Sequence, residues 1–105
     1  MLKDFAKLQT FLMVIKEKSF SRASAKLGIS QPAVTQQIKF MEEYLDTKIV
    51  ERKKNGIILT KEGEDLFRIA KRLEKAVENS EKDLIKIINK DFTFVVGSSN
   101  AIGNY

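Results

Sequence analysis

The chain has 105 residues, 43% of them hydrophobic, which is enough for one small domain with an extension. It contains no Cys and no His, so we expect no catalytic residues, no metal site and no cofactor, because thiolates, imidazole bases and the common zinc ligands are all missing. The net charge of +5 arises entirely within residues 1–60, which contain 11 basic and 6 acidic residues. This excess of positive charge favours a polyanionic partner for that part of the chain.

The N-terminal segment does not have the pattern of a secretion signal. It lacks basic residues followed by an unbroken apolar stretch, and no run approaches the length of a membrane span, so we expect a cytoplasmic chain without membrane contact.

Apolar residues recur at spacings of three and four between Asp4 and Lys18, which predicts a first amphipathic helix there. Its apolar stripe comprises Phe5, Leu8, Phe11, Leu12 and Ile15.

Two further helices are predicted to follow closely. Ser21 is expected to cap a short helix ending at Leu27, because a serine hydroxyl accepts hydrogen bonds from the free N–H groups of a first turn. Gly28 ends that helix, since glycine adopts positive φ without a Cβ clash. Ser30 is expected to cap the third helix, with Pro32 in its first turn, where the missing N–H has no intrahelical partner.

The third helix is predicted to have one apolar face and one polar face. The apolar face consists of Val34, Ile38, Met41 and Leu45. The polar face consists of Pro32, Thr35, Gln36 and Lys39, with Gln31 near the tip. Such a polar run is usually a plain solvated surface, but its place after a glycine turn and a Ser-Pro start indicates a helix-turn-helix, whose second helix enters the DNA major groove.

The side chains of this polar face suit base edges. The amides of Gln31, Gln36 and Gln37 both donate and accept, as adenine requires, and Thr35 offers a hydroxyl or a methyl group. Lys39 suits a phosphate or guanine. At the start of the second helix, small hydroxyls and a cation favour phosphate contacts that fix register. The residues concerned are Ser21, Arg22 and Ser24.

A hairpin is predicted after the third helix. Residues 49–53 and 57–60 are predicted strands, and the Asn55-Gly56 pair between them favours a type I′ turn, in which both residues have positive φ. Arg52, Lys53 and Lys54 make this hairpin a positively charged wing that suits the DNA backbone. An alternative for Arg52 is a structural ion pair with Glu42 or Glu43.

A long final helix is predicted to begin after Thr60, with an apolar seam typical of a coiled coil. The seam comprises Leu66, Ile69, Leu73, Ala76 or Val77, Ser80, Leu84 and Ile87. Because charged residues cover the other faces, a second copy is the natural cover, and we expect a homodimer whose interface includes Leu66, Ile69, Leu73, Val77, Leu84 and Ile87. Packing of the seam on the first helix of the same chain is the alternative. Residues 89–91 are expected to break the helix before a strand over residues 92–97, which would open another domain.

These predictions give a mainly α fold: a winged helix-turn-helix with a two-stranded wing over residues 1–60, a linker or dimerisation helix over residues 61–90, and the start of a truncated domain over residues 91–105.

The sequence also carries a set of residues whose identities and spacings together match those of a known family. The set is Phe20-Ser21-Arg22-Ala23-Ser24 with Leu27, Ser30-Gln31-Pro32-Ala33-Val34-Thr35-Gln36-Gln37-Ile38-Lys39, Glu42, Leu45, Arg52, and Leu59-Thr60 with Gly63. Over residues 3–88 it resembles the N-terminal domain of LysR-type transcriptional regulators of bacteria.

The resemblance implies sequence-specific binding of double-stranded promoter DNA, a linker helix that pairs antiparallel with that of a dimer mate, and tetramers when the effector-binding domain is present. The DNA-contacting positions of the family fall on Gln31, Pro32, Thr35 and Gln36, and on the wing from Arg52 to Asn55. Several positions depart from the family pattern, including Ile49-Val50 in place of a Leu-Phe pair and Glu62 in place of a frequent alanine. Asp46 stands where glycine is usual, and Asn55 replaces a frequent wing arginine.

Two other classes of function compete with DNA binding. The chain could be an oligomerisation or protein-interaction module in which the long helix acts and the helix-turn-helix is a scaffold. An enzyme is the third option, which the absence of His, Cys and any paired-carboxylate pattern disfavours.

Overall fold

Three helices, a two-stranded hairpin and one long helix follow each other in a computed structural model that describes residues 1–94. The elements are α1 (Phe5–Glu17), α2 (Phe20–Leu27), α3 (Gln31–Leu45), β1 (Val50–Lys53), β2 (Gly56–Leu59) and α4 (Lys61–Phe94). The chain divides into one compact unit from Met1 to Arg72 and a second that begins at Leu73. The predicted fold class, a mainly helical winged helix-turn-helix followed by a long helix, is confirmed.

The core of the first unit lies among α1, α2, α3 and the start of the wing. Its largest fully buried side chains are Phe11, Leu8, Met41, Ile49, Val14 and Val34. Burial of each such side chain stabilises the fold by roughly 1.5–3 kcal/mol. The predicted apolar face of α3 is confirmed at Val34, Ile38 and Met41. It is wrong at Leu45, which is 38% exposed because α3 ends there and the chain reverses at Asp46.

The capping residues explain where the helices begin and end. Ser19, not the predicted Ser21, caps α2: its extended backbone precedes the helix, and its hydroxyl accepts a hydrogen bond from the backbone N–H of Arg22. Ser21 is already helical, so its side chain is not placed to cap the turn. The predicted stop at Gly28 and cap at Ser30 are both confirmed.

The wing is an antiparallel hairpin in which Lys53 pairs with Gly56, so Lys54 and Asn55 form the turn. Gly56 has positive φ and Asn55 does not, so the predicted type I′ turn is wrong. Glycine is required at position 56 because a Cβ there would lie 2.8 Å from the carbonyl oxygen of Lys18. That carbonyl also accepts a hydrogen bond from the backbone N–H of Ile57, which fastens the wing to the end of α1.

The junction between the wing and α4 is equally tight. The helix α4 begins just after Thr60 as predicted, and Thr60 caps it because its hydroxyl accepts a hydrogen bond from the N–H of Gly63. The same hydroxyl donates to the carbonyl of Lys48, and the N–H of Thr60 donates to the carbonyl of Ile49. Gly63 packs against that carbonyl so closely that a Cβ would lie 1.9 Å from its oxygen. The first turn of α4 is therefore fixed to the base of β1.

The helix α4 extends further than expected. The break predicted over residues 89–91 is wrong, because these residues lie in α4. The strand predicted over residues 92–97 is wrong for residues 92–94, which also lie in α4. An isolated strand leaves its backbone groups without partners, whereas a helix pairs them internally. The remainder of that strand, and the domain expected after it, lie outside the described residues. Within residues 1–94, no helix is both long and apolar enough to cross a membrane.

Candidate nucleic-acid interface

One face of α3 is free of protein cover. The side chains predicted to read bases are all exposed, namely those of Gln31, Pro32, Thr35, Gln36 and Lys39. At 100° per residue Pro32, Thr35, Gln36 and Lys39 lie on the side of the helix away from the buried Val34 and Met41, whereas Gln31 is exposed because it begins the helix. Gln37, which the sequence grouped with the other two amides, is different: it is half-buried and its Oε1 is buried without a hydrogen-bond partner. The exposed amides of this face are therefore Gln31 and Gln36.

A groove of about 550 Å³ separates this face from the wing. It is lined by Phe20, Thr35, Ile38, Lys39, Glu42, Lys48, Val50, Glu51 and Arg52. Three of these side chains are cationic and two, Glu42 and Glu51, are carboxylates. Two of the cations, Lys39 and Arg52, come from opposite walls of the groove.

Glu42 shapes this groove without neutralising its arginine. Its Oε2 accepts hydrogen bonds from the backbone N–H groups of Ile49 at 2.9 Å and Val50 at 3.4 Å, and Lys48 Nζ lies 3.7 Å from Oε1. In the part of the chain that the structure describes, Arg52 contacts the ring of Phe20 and pairs with neither Glu42 nor Glu43. The guanidinium charge is thus not cancelled by a carboxylate.

A second, smaller groove of about 270 Å³ lies between the start of α2 and the wing. It is lined by Lys18, Ser19, Phe20, Ser21, Gln31, Arg52, Lys53, Gly56 and Ile57. The structure thereby brings together Ser21, Arg52 and Lys53, three of the side chains predicted to contact the DNA backbone. Arg22, Lys54 and Asn55 are also exposed, the last two at the tip of the wing.

Ser24 is a correction to the predicted backbone contacts. Its side chain is 9% exposed, and its hydroxyl donates a hydrogen bond to the carbonyl of Ser21, 2.7 Å away. The residue faces the core because it lies one turn after Phe20 and Ser21 on a helix packed against α1 and α3. Ser24 is not available to a phosphate.

The seam of α4 begins inside the first unit. Leu66 is 6% exposed there, so its side chain is already covered by its own chain and leaves little surface for a partner, contrary to its predicted place in a dimer interface. Ile69 and Leu73 are half-buried. In the second unit the seam residues Val77, Leu84 and Ile87 are exposed.

Sequence reasoning missed two residues that hold the interface together, Phe20 beneath Arg52 and Glu42 beneath β1. The partners of these two residues lie across a turn or in another element, and no local sequence pattern predicts such pairs. Phe20 and Glu42 both belong to the family-like set of residues, which was the one available signal. Among the described residues, no cluster of three or more His, Cys, Asp or Glu side chains is placed to hold a metal ion.

Comparison with known proteins gives a consistent result. Residues 5–64 match the model of the family described as bacterial regulatory helix-turn-helix protein, lysR family. The HTH-type transcriptional regulator BudR of Klebsiella aerogenes is 34% identical over 97 residues, a match that covers 90% of this chain and 68% of BudR. The chain spans only about a third of the length of several other curated relatives, from 27% to 32%.

Solved structures resemble the fold closely. The crystal structure of the BenM_DBD/catB site 1 DNA complex matches with a TM-score of 0.74 and 31% identity, covering 80% of this chain and 94% of that one. Full-length CbnR complexed with its target DNA matches with a TM-score of 0.71 and 27% identity, covering 84% of this chain and 31% of that one. The chain therefore belongs to the lysR family of bacterial regulatory helix-turn-helix proteins, and residues 5–64 are its helix-turn-helix domain.

Proposed function

We propose that this chain binds specific sequences of double-stranded promoter DNA as a homodimer, as part of a transcription regulator in the cytoplasm, and that it is not an enzyme. The observation that carries the proposal is the uncovered polar face of α3 beside a basic wing. The similarity to a DNA-binding domain solved on DNA supports it.

In the proposed complex α3 lies in the major groove, which is wide enough for one helix. Gln31 and Gln36 present amides that pair with adenine, and Thr35 presents a hydroxyl or a methyl group to the neighbouring base. Pro32 packs against the bases at the tip, and Lys39 reaches a guanine or a phosphate further along the helix.

The wing and the start of α2 hold the sugar–phosphate backbone on either side of α3. The side chains assigned to this role are Ser21, Arg22, Arg52, Lys53, Lys54 and Asn55. Such contacts fix the position of α3 without carrying sequence information. Because Asn55 has no charge, Lys53 and Lys54 supply the attraction of the wing for the backbone and minor groove.

The dimer of this proposal forms through α4. Val77, Leu84 and Ile87 give the second unit an exposed apolar seam, and a second copy of the same helix covers it. The division into residues 1–60 for DNA, 61–90 for dimerisation and 91–105 for the start of an effector-binding domain belongs to the same proposal. Tetramers require that further domain.

Selection of bound duplexes from a random pool tests this function with the whole chain. We expect a defined sequence to be enriched, and the log of its affinity to fall linearly with log salt, with a slope of about −0.9 for each phosphate contacted. Random duplex of equal length is the control and is expected to bind at least 10³-fold more weakly, on the order of the usual specific-to-nonspecific ratio. No enrichment and no salt-dependent retention on any duplex would exclude DNA binding.

A further inference from the structure

Phe20 and Arg52 come from different elements but form one contact. Phe20 is the first residue of α2, and Arg52 lies in β1. The guanidinium carbon of Arg52 lies 4.8 Å from the centre of the Phe20 ring. Both residues line the groove against α3 and also the smaller groove against the start of α2. The pair therefore stands where the two grooves meet.

The two members of the pair differ in mobility. Phe20 is 8% exposed and anchored in the core, whereas Arg52 is an exposed residue with a long flexible side chain. A cation over an aromatic face is held by the quadrupole of the ring, and a planar guanidinium lies flat on it. The N–H groups at the edge of a guanidinium held in this way remain available to a further acceptor.

Among the described residues Arg52 forms no ion pair with a carboxylate. Of the two carboxylates that line the groove, Glu42 is bonded to the backbone N–H groups of Ile49 and Val50 with Lys48 beside it, and Glu51 makes no ion pair with Arg52. A phosphate oxygen pair matches the fork of N–H donors on a guanidinium. A phosphate at this point would lie between α3 and the wing and would fix one relative to the other.

We propose that Phe20 is a positioning residue of the DNA interface: its ring holds the guanidinium of Arg52 in the orientation that binds one backbone phosphate. The proposal rests on the DNA binding proposed above. It assigns to a core aromatic residue a role that neither its burial nor its place in α2 suggests.

A double-mutant cycle with Phe20→Leu and Arg52→Ala tests the proposal on the selected duplex. We expect Phe20→Leu to weaken binding by about two- to fivefold with an unchanged salt slope, since the cation is retained. Arg52→Ala lowers the slope magnitude by about 0.9, the value for one phosphate. In the Arg52→Ala background, Phe20→Leu has no further effect. Equal weakening by Phe20→Leu in both backgrounds overturns the proposal.

Two controls separate positioning from folding. Lys54→Ala also removes one wing cation, but its effect is expected to add to that of Phe20→Leu, because Lys54 does not contact the ring. Phe20→Tyr keeps the ring and is expected to retain affinity; loss of affinity in this variant, with its thermal unfolding unchanged, contradicts the proposal. If Phe20→Leu fails to fold, the affinity of Phe20→Tyr tests the proposal in its place.

A measurement on the free chain needs no DNA. The Hδ resonances of Arg52 are expected upfield of their usual position because of the ring current of Phe20, and Phe20→Leu removes that shift. Absence of the shift in the wild-type chain overturns the proposed stacking. If the wild-type chain binds DNA but the cycle shows no coupling, only the role of Phe20 fails, whereas absence of any binding removes the proposed function itself.

Discussion

The carboxylate of Glu42 on α3 accepts a hydrogen bond from the backbone N–H of Ile49, which lies immediately before β1, at 2.9 Å. A longer bond from Val50 reaches the same oxygen. The helix proposed to read bases and the wing proposed to grip the backbone are thus joined by one largely buried side chain, which also has Lys48 beside it.

Removal of this carboxylate is expected to destabilise the chain. Glu42→Ala leaves two backbone N–H groups without their acceptor, at a cost of about 1–3 kcal/mol in the free energy of unfolding. Glu42→Gln retains an acceptor oxygen and is expected to lose less. Urea denaturation measures both, with the exposed neighbour Glu43→Ala as a control within about 0.5 kcal/mol of wild type. Equal stability of Glu42→Ala and Glu43→Ala would show that the bond to β1 contributes nothing.

Alanine substitutions at two glycines are expected to distinguish the cost of steric crowding from the cost of backbone strain. Gly63→Ala places a Cβ 1.9 Å from the carbonyl oxygen of Ile49, and the backbone must move to relieve the clash. In Gly28→Ala the new Cβ meets no atom within 4 Å, so the only expected loss of stability comes from the positive φ, roughly 1–2 kcal/mol. We expect Gly63→Ala to be the more damaging by at least about 2 kcal/mol, even though alanine favours a helix by up to about 1 kcal/mol. Thermal unfolding of both variants measures the difference; the reverse order would refute the close packing of α4 on β1.

The exposed face of α3 and the wing are expected to respond differently to mutation. Gln31→Ala and Thr35→Ala should each weaken binding to the selected site by about 1–3 kcal/mol while changing random-duplex affinity much less. Lys54→Ala, which removes a charge but no base contact, should weaken both alike and lower the salt slope magnitude by about 0.9. Fluorescence anisotropy on the two duplexes gives all three quantities. A uniform loss for Thr35→Ala would remove α3 from base reading.

Adjacent residues of α4 offer a matched test of the dimer seam. Leu84 and Ile85 are 55% and 57% exposed but point about 100° apart on the helix. Leu84→Glu introduces a charge into the proposed seam and is expected to convert the dimer to a monomer in light scattering. Ile85→Glu introduces the same charge off the seam and is expected to leave the dimer intact. Dissociation by Ile85→Glu alone would place the interface on another face of α4.

Much of the fold was predictable because it depends on local signals. The glycine stop at Gly28, the cap and proline start at Ser30 and Pro32, and the period of α3 are all encoded within a few residues. The first two are confirmed, and the period is confirmed except at Leu45. The polar face of α3 follows from the same period. Its exposure was inferred from the apolar residues on the opposite side.

The errors arise where the outcome depends on residues outside the local pattern. Ser19 and Ser21 are equally good caps, and the choice depends on the end of α1 at Glu17, with Lys18 as its left-handed cap. Gly56 is fixed by its approach to Lys18 and not by a type I′ turn, which the Asn-Gly pair alone favours. The contact of Arg52 with the Phe20 ring joins residues 32 positions apart and has no periodic signature.

The wing and the residues just before it are held at three points, by Lys18 after α1, by Glu42 on α3 and by Thr60 before α4. In the proposed complex the distance of the wing from α3 is consequently fixed, and we expect any adaptation at the interface to fall on the nucleic acid. Bending or twisting a duplex has an energy that varies with base steps no side chain touches. Operators of this chain are therefore expected to constrain such untouched steps, which a selected pool would reveal as preferences flanking the contacted bases.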